Sequence, residues 1–84
     1  MTYKSETNNG GFDVTPNDSV DLPQTAQAIR VNVAGLVKIT TPSGWTTTIH
    51  VNAGVWDAQK ARRIWSTGTD TAVKNGGIKA GVSS

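Results

Sequence analysis

Hydrophobic and polar positions alternate with a period of two from Gln27 onward. Ile29, Val31 and Val33 fall on one side, and Ala28, Arg30 and Asn32 on the other, which predicts a half-buried strand. Ala34-Gly35 reads as a tight connection. Leu36 to Thr41 is then a second strand, with Val37 and Ile39 toward the core. Pro42-Ser43-Gly44 has the composition of a turn, because Pro presets φ and Gly accepts a positive one. Trp45 to Val51 follows as a third strand, with Trp45, Thr47, Ile49 and Val51 inward and Thr46, Thr48 and His50 outward. Three strands joined this closely predict a β-meander of two hairpins.

Asn52-Ala53-Gly54 predicts another turn. Residues 55–59 and 61–66 read as strands, although Ala58 to Arg62 would tolerate a helical turn. Asn75-Gly76 carries the signal of a type I′ hairpin turn, and Ile78, Ala80 and Val82 alternate in a short last strand. No repeat of 20–50 residues is present.

Ahead of this body the pattern is different. Residues 1–12 are Thr, Ser, Asn and Gly with Tyr3 and Phe12 as isolated aromatics, too little apolar surface to order alone. Pro16 and Pro23 push their preceding residues into extended geometry, with a turn near Asn17-Asp18. The expected organisation is an extended N-terminal arm over residues 1–26 and a body over residues 27–84. The body is all-β, a small antiparallel β-barrel or sandwich of five to six short strands.

Composition agrees. Thr, Val and Ile fill 26 of the 84 positions and Leu only two, which excludes a coiled coil or long-helix protein. No run of about 18 apolar residues exists, so no membrane-spanning helix is expected. The absence of Cys removes disulfides, thiol nucleophiles and Cys-based zinc sites. No basic segment followed by an apolar one opens the chain, so no signal peptide is expected. Charge is divided unevenly: residues 1–26 carry a net −3 and residues 27–84 a net +5. A body this small buries only about 60% of its unfolded surface. With no disulfide or metal to help, a homo-oligomer, or an arm ordered on a partner, is the expected remedy.

Catalytic chemistry finds no foothold. His50 is the single His, on an outward strand position. Asp57 and Asp70 have no reason to meet, and the Ser and Thr residues have no neighbouring base. Asp13, Asn17, Asp18 and Asp21 lack EF-hand spacing and read as solvated turn residues. The expectation is a non-enzyme without metal or cofactor. The three Trp are more informative. Trp45 falls on the core phase. If Ile64 faces the core, Arg63 and Trp65 emerge together on the opposite face, and aromatic and Arg residues anchor protein interfaces. The alternative for Trp65 is a cap over the open end of the barrel.

A resemblance sharpens this. The segment Val14-Thr15-Pro16-Asn17-Asp18-Ser19-Val20-Asp21-Leu22-Pro23 is followed by Ala28-Ile29-Arg30-Val31 and by Val51-Asn52-Ala53-Gly54. The pattern closes with Arg63-Ile64 and Thr67-Gly68-Thr69-Asp70-Thr71-Ala72. This order resembles the small spike-base proteins of tailed-phage heads and of gene transfer agent particles. Those carry a T-P-x-D-S-x-D-L-P arm, an R-A-L-Y-V strand, a V-x-A-G turn and an R-V-x-x-T-G-T-T-A stretch. Here Arg30 follows Ala28-Ile29 rather than preceding them, and Asp70 interrupts the last motif.

The resemblance implies a structural virion protein on the outer capsid surface, made in the host cytoplasm: a cement or decoration protein, or the base for head spikes. The implied partners are the major capsid protein, further copies of the chain and a head fibre protein. On this reading Asp13, Asp18 and Asp21 seek basic groups on the shell. Val14, Val20, Leu22 and the adjoining Pro23 fill shallow apolar pockets, and Arg63 and Trp65 supply a further contact. Deleting residues 1–22 is then expected to leave a folded body that no longer binds capsids. Two other classes remain open. One is a small-barrel single-stranded nucleic-acid binder using Trp56, Trp65, Lys60, Arg62 and Arg63. The other is a receptor or carbohydrate module using exposed Trp.

Overall fold

The computed structural model describes residues 10–82; residues 1–9, including Tyr3, and residues 83–84 lie outside the described part. Six strands and one short helix follow in the order β1 (Gly10–Val14), β2 (Ala28–Val31), β3 (Gly35–Thr40), β4 (Thr46–Val51), β5 (Arg63–Ile64), α1 (Thr71–Gly76) and β6 (Ile78–Val82). They form two three-stranded antiparallel sheets, β1-β6-β2 and β4-β3-β5. The fold is therefore a small all-β sandwich, as the strand spacing predicts.

The core is aliphatic. Ile29, Val31, Ile78, Ala80 and Val14 come from the first sheet, and Val37, Ile39, Val51 and Ile64 from the second. Ala26 and Ala61 bridge the two sheets, and Val73 of α1 closes one end. None of the three Trp belongs to this buried set. β-Branched residues suit it because the sheets approach closely and stiff short side chains interdigitate at little entropic cost.

Several sequence expectations need correction. β2 and β3 do not form a hairpin, because they lie in different sheets. Of the two meander hairpins only β3–β4 exists, turned by Gly44 at φ 102°. The strand of Ile29 and Val31 stops at Val31, so Val33 is exposed on the crossover between sheets. At the start of that crossover's next strand, Gly35 is buried under α1. A Cβ there would lie 2.6 Å from Val73 Cγ2 and 2.7 Å from Asp70 Oδ2.

Trp45, expected inward, is 74% exposed, and Thr47 is exposed as well. Both keep the inward phase, since Thr47 is opposite Ile39 and Ile49 opposite Val37. But β4 is an edge strand, and cover from the other sheet reaches only its far end. Ile49 is half-buried and Val51 fully buried, next to the bridge between Ala53 and Val31.

Residues 55–59 and 61–66 contribute only β5 as regular strand. The stretch before it lies along β2 through single bridges, Ile29 to Asp57 and Ala26 to Ala61, with both backbone bonds made at each. It then crosses into the second sheet, where Arg62 N donates to Thr40 O at 2.8 Å. The segment changes sheets within a few residues and has no room for two strands.

Asn75-Gly76 is no hairpin turn. It ends α1, and the positive φ falls one residue later, at Gly77 (97°). The helix forms because Val73 has a buried seat and because β5 and β6 belong to different sheets, which a two-residue turn cannot connect.

β1 lies within the segment read as the arm. It pairs with β6 from Gly10↔Val82 to Val14↔Ile78. A chain lacking residues 1–22 loses this strand and Val14 from the core, so it is expected to melt without cooperativity or well below the full chain; an unchanged melt would contradict the packing described. Gly35→Ala is expected to cost about 1–3 kcal/mol through overpacking against Val73, read as a fall in Tm.

Candidate functional site

Residues 15–25 leave the first sheet after β1 and run along the outer edge of β5 before returning to β2. Asn17 N donates to Ile64 O (2.9 Å) and Leu22 N to Arg62 O (2.7 Å). A two-residue strand thus has backbone partners on both sides, β3 on one and this segment on the other. Between the two contacts the chain turns locally. The Asn17 Oδ1 accepts from Ser19 N (2.8 Å) and Val20 N (3.0 Å), an Asx turn that needs Asn or Asp at this position.

Side chains lock the segment down. One oxygen of the Asp18 carboxylate accepts from Ser66 N (2.9 Å) and Thr67 N (2.8 Å), and the other accepts from the Thr67 hydroxyl (2.6 Å). Arg63 donates from Nε to Asp21 Oδ1 (2.8 Å) and from Nη1 to the Asp18 carbonyl (3.2 Å). Arg62 is 3.9 Å from the other Asp21 oxygen. The two motifs that carry the sequence resemblance, around Asp18 and around Thr67, are therefore the two halves of one contact.

The turn after β5 is held just as closely. Trp65 N donates to Lys38 O (2.8 Å), Lys38 N to Thr69 Oγ1 (3.0 Å), Asp70 N to Leu36 O (2.9 Å) and Leu36 N to Asp70 Oδ2 (2.9 Å). Thr69 and Asp70 side chains stand in for a strand along β3 where β5 has ended. Asp70 precedes α1 but gives its carboxylate to β3 rather than to the helix.

Trp65 lies half-buried on the outer face of the second sheet. Its Nε1 donates to Thr40 Oγ1 at 2.8 Å, Lys38 Nζ stands 4.5 Å from the ring centroid, and Arg63 Cζ stands 5.4 Å away. Ile64 is buried, and Arg63 and Trp65 share the opposite face as the alternation requires.

Over the clasp opens a cleft of about 320 Å³. Its walls are Phe12, Val14, Val20, Leu22 and Pro23, with Ile64 beneath and Asp13 and Asp21 among the polar lining. Asp13 pairs with Lys79 at 2.8 Å while its carboxylate stays mostly in solvent. Val20 and Pro23 are exposed, and Val14 is buried. Most residues read from the sequence as a capsid contact thus converge on one surface. The geometry differs from the sequence picture: Val14 and Leu22 are turned toward the protein's own core and form walls of a cavity, and Asp18 and Asp21 bond within the chain. Arg63, read as a contact residue, is here the partner of Asp21. Sequence reasoning placed Asn17 in a turn, Thr67 in the closing motif and Phe12 as an isolated aromatic, but gave none of them a part in this surface. The Asp-Ser and Thr-Gly-Thr turn chemistry was visible, but their meeting across the chain was not.

The hydrogen bonds lower the Asp18 pKa below its ordinary value. The Thr67 hydroxyl contributes most, then the Thr67 and Ser66 amides and the charge of Lys38, against a partial loss of hydration.

Comparison with known proteins adds one finding. The chain is similar to a chain in a solved structure titled "Capsid of native GTA particle computed with C5 symmetry", where GTA denotes a gene transfer agent. Identity is 27% and the TM-score 0.73, over 88% of this chain and 82% of that one. No family model matches this chain, and no curated protein does. The match supports a structural protein of a phage-like particle, assembled with other capsid proteins.

Because the folded-state pKa of Asp18 is depressed, its contribution is complete above the unfolded value of about 3.9 and is lost as pH falls through the folded one. The melting temperature of the wild type is expected to drop in this acid range, and Asp18→Asn to show a smaller drop there. Superimposable pH profiles would show that the clasp carries no stability.

Proposed function

We propose that the chain is an outer-surface protein of a tailed-phage-type capsid, either a cement (decoration) protein or the base of a head spike. It attaches to the major capsid protein through the face built by residues 12–23. The observation that carries this reading is the similarity to a gene transfer agent capsid chain over nearly the whole length of this one. The site geometry supports it. An apolar cleft rimmed by the Asp13–Lys79 and Asp21–Arg63 ion pairs suits an apolar side chain seated within a polar border. Shape and charge at such a surface serve binding rather than turnover, and the role is structural. As a spike base the same chain would also hold a head fibre protein.

Attachment through a rigid face differs physically from attachment by an arm that folds on contact. With Asp18 and Asp21 already bonded within the chain, these residues are ordered before binding, and the shell partner meets a pre-formed surface. Repetition over a symmetric particle then multiplies modest single affinities.

The nucleic-acid reading loses support at its stacking residue. Lys38 and Arg63 both stand close to the Trp65 ring, and the Arg63 charge is paired with Asp21. Open aromatic faces and unpaired cations are what a single strand needs.

Val20 lies in the cleft and is exposed, so Val20→Asp is expected to fold as the wild type does. In co-sedimentation with purified particles stripped of this chain, the variant is expected to bind about tenfold or more weakly. Equal binding by variant and wild type would overturn the role of the cleft. Failure of the wild type to bind particles would overturn the shell assignment itself.

A further inference from the structure

Among the described residues, β4 is an edge strand without the usual protection. Free edges are normally blunted by charge, proline, a bulge or a covering segment. Thr46-Thr47-Thr48-Ile49-His50-Val51 contains no Lys, Arg, Asp, Glu or Pro. Its register with β3 runs unbroken from Gly35↔Val51 to Thr40↔Thr46, so no bulge twists it away. Beside this edge, Trp45 is 74% exposed and Ile49 only half-covered. The outer strands of the other sheet, β1 and β2, by contrast carry the charged Asp13 and Arg30.

Which backbone groups face outward follows from the other edge of β3. Leu36 and Lys38 use both N–H and C=O, and Thr40 its C=O, toward the β5 side. The intervening residues therefore bond to β4, and Thr41 N donates to Trp45 O at 2.7 Å in the same phase. Antiparallel alternation then gives Thr47, Ile49 and Val51 to β3 and leaves Thr46, Thr48 and His50 with N–H and C=O pointing away from the sheet.

We propose that this edge pairs antiparallel with the β4 edge of a second copy of the chain, about a two-fold axis at Thr48, giving one six-stranded sheet. The outward groups select that register: Thr48 meets the partner's Thr48, and Thr46 meets the partner's His50. Both residues of each pair offer the donor and the acceptor required. On the inward side Thr47 falls opposite the partner's Ile49 and Trp45 opposite the partner's Val51. The exposed indole then lies diagonal to the partner's half-covered Ile49. No like charges face each other anywhere along the strand, whereas a charged edge would repel its own copy. The pairing is isologous, so it closes at two copies and leaves no free β4 edge. The axis lies at β4, and the arm-lined cleft is not used.

The test needs only the isolated full chain, so it is independent of the shell assignment. By sedimentation equilibrium the wild type is expected to rise with concentration from the 8.8 kDa of one chain to twice that mass. Thr48→Lys places two cations opposite each other on the axis. It is expected to weaken association at least tenfold while leaving the circular dichroism unchanged. Thr48→Cys introduces the first thiol into a chain without cysteine. Directly opposed Cα atoms at about 5.5 Å lie within disulfide range. Mild oxidation is expected to link Thr48→Cys chains in pairs far faster than chains carrying Ser43→Cys in the neighbouring turn. A wild type that stays at one-chain mass, a Thr48→Lys variant that associates like the wild type, or equal cross-linking of the two Cys variants would overturn the proposal. So would a Thr48→Lys variant that still dimerises but no longer binds particles, which would assign the edge to a strand of the shell.

Discussion

One carboxylate holds the site together. Asp18 bonds the backbone and hydroxyl of Thr67 and the backbone of Ser66, joining residues 49 positions apart. Beside that contact, two backbone bonds and the Arg63 and Arg62 guanidinium groups keep residues 17–22 on β5. With these, β5 is paired on both edges, and the cleft above Ile64 has fixed walls. The contact is exposed to solvent, so its strength comes from geometry: donors converge on both oxygens of a single anion. The neighbouring Asp21–Arg63 pair, a single contact at the surface, contributes less alone and more as part of the same network.

The same economy governs the far edge of β3. Regular pairing there ends with β5, after two residues, yet Leu36 and Lys38 still have amides to satisfy. Thr69 and Asp70 supply side-chain oxygens in place of carbonyls, and the chain can turn at Gly68 and enter α1 without leaving buried donors unpaired. In a sandwich with only aliphatic core residues, such side-chain substitutes for strands do much of the work that longer strands do in larger domains. They also explain the density of Thr, Asp and Gly between Ile64 and Thr71.

The two candidate surfaces on this molecule are segregated. The cleft of residues 12–23 is apolar, is rimmed by ion pairs and lies over β5. The uncharged β4 edge lies at the other margin of the same sheet, with β3 between them. Occupation of one margin therefore leaves the other accessible.

Local chemistry determined the strand content, the aliphatic core of Ile29, Val31, Val37, Ile39, Ile64 and Ile78, the turn at Gly44 and the extended course of residues 15–25. Each depends on period-two burial or on the φ preferences of Pro and Gly, which neighbouring residues impose on one another. Sequence also marked most residues of the arm-lined surface, through a pattern of Asp and apolar positions. What it did not determine was partnership. That β2 and β3 lie in different sheets, that Asn75-Gly76 ends a helix, and that Trp45 stays in solvent depend on which strands stand opposite, and the alternation of side chains is the same for a covered strand and an uncovered one. Only the tertiary arrangement put Thr67 beneath Asp18 and turned Val14 and Leu22 inward, because pairing over such a separation is decided by the closure of the whole sandwich and not by any segment within it.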